Sequence, residues 1–181
     1  MMKKTILFLM AVMSAVTSVY SYDPVDLEIL KEQKSCPNCD LSGANLRGMQ
    51  LQGADLTGAI LSKADMFGTN LKGANLTKAI LYGAKLEGAV LVGANLTEAN
   101  LDNTNLTGKR FEGAKMDGCS LEEARMVEAE FGGINFNGCE LFRANFFQAK
   151  LKGANLSGAK IKGTISSRGK ICNTFNCLST K

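Results

Sequence analysis

Residues 74–88 read Ala-Asn-Leu-Thr-Lys-Ala-Ile-Leu-Tyr-Gly-Ala-Lys-Leu-Glu-Gly, with Leu76, Leu81 and Leu86 five apart. The same spacing runs without a break from Leu41 to Ile161, through Leu46, Met66, Leu91, Phe111, Met126 and Phe146. Two residues before each large apolar centre comes a small one, usually alanine, as at Ala44, Ala74 and Ala94. Two residues after it comes glycine more often than not, as at Gly43, Gly58 and Gly73.

A period of five fits neither a helix face nor a strand. Inside each five-residue word, however, the small and the large apolar residue are two apart. That is strand spacing, so both side chains point the same way. The next small residue comes three after the centre, so the phase slips once per word. The slip falls at a glycine, which tolerates dihedral angles that other residues avoid. The chain is predicted to run as a short side, a corner and another side, always bending toward its apolar face. It must coil around that face, with coils stacked about 4.8 Å apart and bonded through their backbones. This is a solenoid.

The word Ala-(Asn/Asp)-Leu-x-Gly, as in Ala74-Asn75-Leu76 and Ala154-Asn155-Leu156, resembles the pentapeptide-repeat family over about two thirds of the chain. The resemblance implies an all-β fold, a right-handed quadrilateral β-helix with four words per coil. That makes about six coils and a rod about 30 Å long. The centres would fill the interior and the small residues would pack beside them.

The start of the chain is a different kind of text. Met1-Met2-Lys3-Lys4 is basic, Thr5 to Val19 is mostly apolar, and small residues follow at Ser18 and Ser21. Residues 1–21 are read as a cleavable secretory signal peptide. The apolar run is shorter than the ~20 residues of a membrane span, and no later stretch could make one. Residues 22–40 are read as a short capping helix and a cysteine junction. Asp23 can cap the helix, Pro24 suits its first position, and Leu27 and Leu30 share one face. The open first coil of a β-helix needs such a lid. Residues 41–165 form the repeat and 166–181 a C-terminal cap or tail.

Cys36-Pro37-Asn38-Cys39 admits a redox dithiol, half a zinc site or a structural disulfide. No thioredoxin-like setting surrounds it, and the chain contains no histidine. An exported protein favours disulfides, so a Cys36–Cys39 bond is expected. Exported members of the family look similar here, with a CxxC leading into a run like Asp40–Leu46. Cys172 and Cys177 are expected to close a loop over the last coil, a spacing that resembles some family tails. Cys119 and Cys139 replace alanine at the small inward position and stack in adjacent coils. A bond between them is sterically conceivable, but the reading favours two buried thiols packing as small apolar groups. One word breaks the inward rule, because Lys109 takes a small inward place. A buried unpaired ammonium is costly. The expectation is a local distortion that lets Lys109 snorkel outward, with a functional breach in the wall as the alternative.

The whole-chain charge of +4 is modest, but it is unevenly spread. Outward positions from Glu112 to Glu140 are mostly acidic, and no acidic residue follows Glu140. Lys150, Lys152, Lys160 and Lys162 are read as a basic ring around the last coils, suited to an extended anionic envelope surface. Val127, Phe142 and Phe147 are outward apolar residues that form a second candidate for partner contact, unless the tail, with Ile171 and Phe175, covers them. A further stripe is Ile60, Ile80 and Tyr82. Asp55-Leu56-Thr57, Asn75-Leu76-Thr77 and Asn95-Leu96-Thr97 stack into a ladder on one wall, the kind of flat face that can bind ice or carbohydrate.

No catalytic, metal or cofactor residue is predicted. A filled solenoid core leaves no pocket, and without histidine there is no His-based triad or acid–base pair. The resemblance also implies another role, since some family members are acidic DNA mimics that bind gyrase. The basic end, the signal peptide and the lack of the C-terminal dimerisation helix usual in those members argue against that here, and no nucleic-acid partner is expected. The reading is therefore a non-catalytic exported scaffold or a module binding a protein or envelope surface. The gyrase-binding mimic and the ice- or carbohydrate-binding wall are the alternatives.

Overall fold

The structure, a computed structural model, describes residues 21–174 and 177–178. Residues 1–20, nearly all of the expected signal peptide, and Phe175 therefore lie outside the described residues. From Ser35 onward the backbone forms parallel bridges between residues twenty apart: Ser35↔Asp55, Asp55↔Asn75, Asn75↔Asn95 and so on to Asn145↔Ile165. A register of twenty with a word of five makes a four-sided coil.

Each corner has the same construction. The amide after the corner returns to the preceding centre, as in Ala44 N–H to Leu41 O at 3.0 Å and Ala79 N–H to Leu76 O at 3.0 Å. The residue two after the centre has φ near +60°, whether it is Gly48 or a side-chain-bearing residue such as Lys63, Glu98 or Arg143. A four-residue turn with φ positive at its third position is a type II turn, which favours glycine there. Where Asn or Asp precedes the centre, its side chain locks the turn. Asn75 Oδ1, for example, accepts from Thr77 N at 3.3 Å. This local bond is why Asn and Asp recur at that place.

Between corners, each coil donates both up and down. Leu61 N–H bonds Ile80 O at 2.7 Å, and Ile60 N–H bonds Cys39 O at 2.8 Å. Backbone groups that would otherwise be stranded beside an apolar core are thereby satisfied. The centres and small residues form one continuous buried column. Each fully buried Leu or Phe contributes about 1.5–3 kcal/mol, and this column is the main source of stability. In the C-terminal half it becomes aromatic. Phe131 stacks on Phe111 at 4.6 Å between centroids and meets Phe136 and Phe146 edge-on at 5.1 and 5.8 Å.

The ladder is interrupted at two places. The bridges that the register would form at Lys85/Asn105 and Val90/Arg110 are absent, as is the one at Lys115/Asn135. The first interruption lies beside Lys109.

The lid is helix α1, Pro24–Gln33, with Asp23 as its N-cap accepting from Val25 N at 2.8 Å and Leu27 and Leu30 buried on the first coil. The coil begins one word earlier than Leu41, because Cys36 already occupies a centre and Cys39 a small inward position. The two sulfurs are joined, with Cα atoms 5.5 Å apart. At the other end, strands β1 (Thr164–Ile165) and β2 (Ile171–Cys172) form an antiparallel hairpin. A Cys172–Cys177 disulfide and the buried Leu178 close that end. Among the described residues, no helix is long and apolar enough to cross a membrane.

Candidate functional site

The twenty-residue register decides what each outward side chain can meet, because residue i lies under residue i+20. On the wall of the Asn/Thr ladder, this consumes the polar groups internally. Asn75 Nδ2 donates to Thr57 Oγ1 at 2.8 Å, and Thr77 Oγ1 donates to Asn75 Oδ1 at 2.6 Å. Asn95 Nδ2 then donates to Thr77 Oγ1 at 2.9 Å, and Thr97 Oγ1 to Asn95 Oδ1 at 2.7 Å. These hydroxyls and amides are zipped along the rod, a use that accounts for the repeated Asn and Thr without any ligand.

The same register divides the four lysines of the basic end. Lys150 lies above Glu130 and bonds it at 2.7 Å, while Lys160 lies above Glu140 and bonds it at 2.6 Å. The hydrogen bond from Lys150 holds the Glu130 carboxyl below the usual carboxylate range, and the bond to Glu140 raises the Lys160 ammonium. Lys152 and Lys162 are exposed and form no ion pair among the described residues, and Arg168 and Lys170 are exposed beyond them. The expected ring of equivalent lysines thus separates into two that tie coils together and a free set at the tip. Since 150 is 130 plus twenty, this pairing could have been found in the sequence by comparing positions one coil apart.

Val127 and Phe147 stack in neighbouring coils, with Val127 half-buried and Phe147 exposed. The tail touches this patch through backbone, since a side-chain carbon at Gly169 would stand 3.3 Å from the Phe147 ring. Ile171 is 65% exposed. Phe142, half-buried around the corner, lies under the Arg143 guanidinium, 4.9 Å from the ring centre. Of the other stripe, Ile80 and Tyr82 are exposed and Ile60 is half-buried.

Cys119 and Cys139 are both fully buried free thiols, in hydrogen-bond contact with their sulfurs 3.0 Å apart and not joined as a disulfide. Contact with Cys139 and then burial push the Cys119 thiol far up. Among the described residues, Asp26, Cys36 and Cys39 are the group close enough to share a cation. The cysteines are spent on each other, however, and Asp26 Oδ2 accepts from Asp40 N at 2.7 Å. Sequence reasoning missed that carboxylate's structural use.

These features define a repeat solenoid whose chemistry lies on its outer walls. Residues 36–73, 69–108, 110–141 and 139–165 match the pentapeptide repeats family in eight copies. The chain belongs to that family, whose fold is the right-handed quadrilateral β-helix. Among solved structures, it is similar to a pentapeptide repeat protein of the Arabidopsis thaliana thylakoid lumen, at 33% identity and TM-score 0.52, covering 58% of this chain and 70% of that one. HetL of the cyanobacterium Nostoc, involved in heterocyst differentiation regulation, is 26% identical with TM-score 0.34, covering 76% of this chain and 87% of that one. QnrB1, a plasmid-mediated fluoroquinolone resistance protein, is 21% identical with TM-score 0.33, covering 63% of each chain. Among curated proteins, none matches the chain.

Proposed function

We propose that this protein is a non-catalytic, exported binding module whose basic tip meets an anionic envelope surface. The observation that carries this reading is the cationic set Lys152, Lys162, Arg168 and Lys170, unpaired among the described residues and exposed at one end of a rod where Lys150 and Lys160 are already neutralised. Lys152 and Lys162 are two walls apart, so the charges surround the tip. That geometry suits an extended surface better than a deep pocket for one small anion. Export is supported by the basic-then-apolar start of the sequence, by the two disulfides and by likeness to a thylakoid-lumen protein. The gyrase-binding alternative lacks support in the charge distribution, because the tip is cationic. The ice- or carbohydrate-binding alternative is weakened by the internally spent Asn/Thr ladder.

Association with vesicles containing anionic lipid, or with anionic envelope polysaccharide, tests the reading. Exposed charges are screened beyond ~8 Å at physiological salt, so binding should be present at low salt and fall steeply as salt rises. Changing Lys152, Lys162, Arg168 and Lys170 to Gln should abolish it. Changing Lys150 and Lys160 to Gln should leave most of it. A protein that ignores anionic surfaces at low salt would end this proposal and leave the Val127/Phe147 patch as the candidate contact.

A further inference from the structure

The larger break in the inter-coil ladder has a composition that its neighbours lack. In the coils on both sides, five amides per corner pair donate across the ladder, as Met66, Gly68, Leu71, Lys85 and Val90 do on one side. On the other side the donors are Leu106, Gly108, Phe111, Arg125 and Glu130. The equivalent amides of Leu86, Gly88, Leu91, Asn105 and Arg110 make no such bond. The walls part there, leaving a cleft of about 330 Å³ lined by Gly88, Ala89, Val90, Val92, Gly108, Lys109 and Arg110.

The side chain that sets this cleft apart is Lys109, which stands where most other words place alanine. Its stem is buried and the residue is only 8% exposed, while the ammonium end keeps some access to solvent. The expected local distortion takes the form of a wall that has opened beside it. Its ammonium has no hydrogen-bond or ion-pair partner among the described residues. Burial lowers its affinity for a proton, and the nearby Glu87 carboxylate raises it. Glu87 is itself engaged by Asn105 Nδ2 at 3.2 Å. One residue before the cleft-lining Gly108, the buried Thr107 Oγ1 also lacks a partner. A cation on a buried stem, a run of unpaired amides beside it and an orphan hydroxyl next in sequence are costly to leave unsatisfied.

We propose that this parted wall binds a small organic carboxylate, with its anionic end on the Lys109 ammonium and its apolar part against Ala89, Val90 and Val92. The charges at the site select a monoanion over phosphate. Arg110 is already shared between Glu112 at 3.5 Å and Glu130 at 3.4 Å, which leaves one uncommitted cation. With Glu87 close by, a dianion would meet more repulsion than Lys109 could offset. The volume is at the small end for ligand pockets, about 300–1,000 Å³, and suits a short-chain acid. This site is separate from the basic tip, and the two can succeed or fail independently.

Titration of the full chain with sodium butyrate, followed by amide NMR and calorimetry, tests the site, with sodium chloride and phosphate as comparators. Butyrate should shift the amides of Gly88, Val90, Lys109 and Arg110. Lys109→Met keeps the bulk and removes the charge, and should weaken binding by about tenfold or more, the size of one charge-assisted hydrogen bond. Lys109→Ala restores the usual small residue. It should abolish binding and protect the amides of Leu86, Gly88, Leu91, Asn105 and Arg110 from hydrogen exchange as the wall closes. No response to butyrate, an equal response to chloride, or unchanged butyrate binding by Lys109→Met would each overturn the proposal.

Discussion

The Asp26 carboxylate accepts the amide of Asp40 at 2.7 Å, in the place where a coil below would supply a carbonyl. One coil later the equivalent amide, that of Ile60, bonds Cys39 O at 2.8 Å. The lid therefore continues the ladder with a side chain. Removing it by Asp26→Leu leaves a part-buried N–H unpaired, at a cost of about 1–3 kcal/mol. Faster hydrogen exchange at Asp40, with little change at mid-rod amides such as Asn75, is the expected signature.

Phe131 sits at the centre of the aromatic column, touching Phe111, Phe136 and Phe146. Phe131→Ala opens a cavity that the rigid coil cannot collapse around, costing about 3–5 kcal/mol. Phe131→Leu should cost much less. Denaturant melts of the two variants provide the comparison.

The thiols of Cys119 and Cys139 should resist alkylation in the folded, unreduced protein, because they are buried and Cys119 is held protonated. Both should react once the protein is unfolded without reductant, whereas Cys36, Cys39, Cys172 and Cys177 should not. Mass spectrometry after each treatment counts the labels. Replacing both thiols by alanine, the residue other words use there, should leave the fold intact.

The Glu130 carboxyl is depressed first by its hydrogen bond from Lys150 and then by that lysine's charge. A carboxylate with a lowered folded pKa contributes stability that is present above its unfolded pKa. That stability is lost as pH falls through the folded value. Any contribution from this exposed pair should thus persist at neutral pH and disappear only below the ordinary carboxylate range. Lys150→Gln should flatten that acid limb, and high salt should shrink the difference. Urea melts across the acid range check the sign.

Much of this protein was determined by local sequence. A centre every fifth residue, a small residue two before it and a turn two after it specify a coil with a filled core. The reason is local: strand spacing, left-handed corners at Gly48 or Lys63, and Asx locks such as Asn75 to Thr77 each involve only a few neighbouring residues. The tertiary structure decided what depends on stacking. It placed Lys150 on Glu130 and Lys160 on Glu140, so chain-order charge counting overstated the basic ring. It brought Asp26 under Asp40, a contact between lid and coil that no period encodes. At Lys109 the sequence announced only a misfit. Whether the side chain or the wall would yield depended on the energy of the ladder bonds against that of moving a long cationic stem. In the folded protein it is the wall that opens.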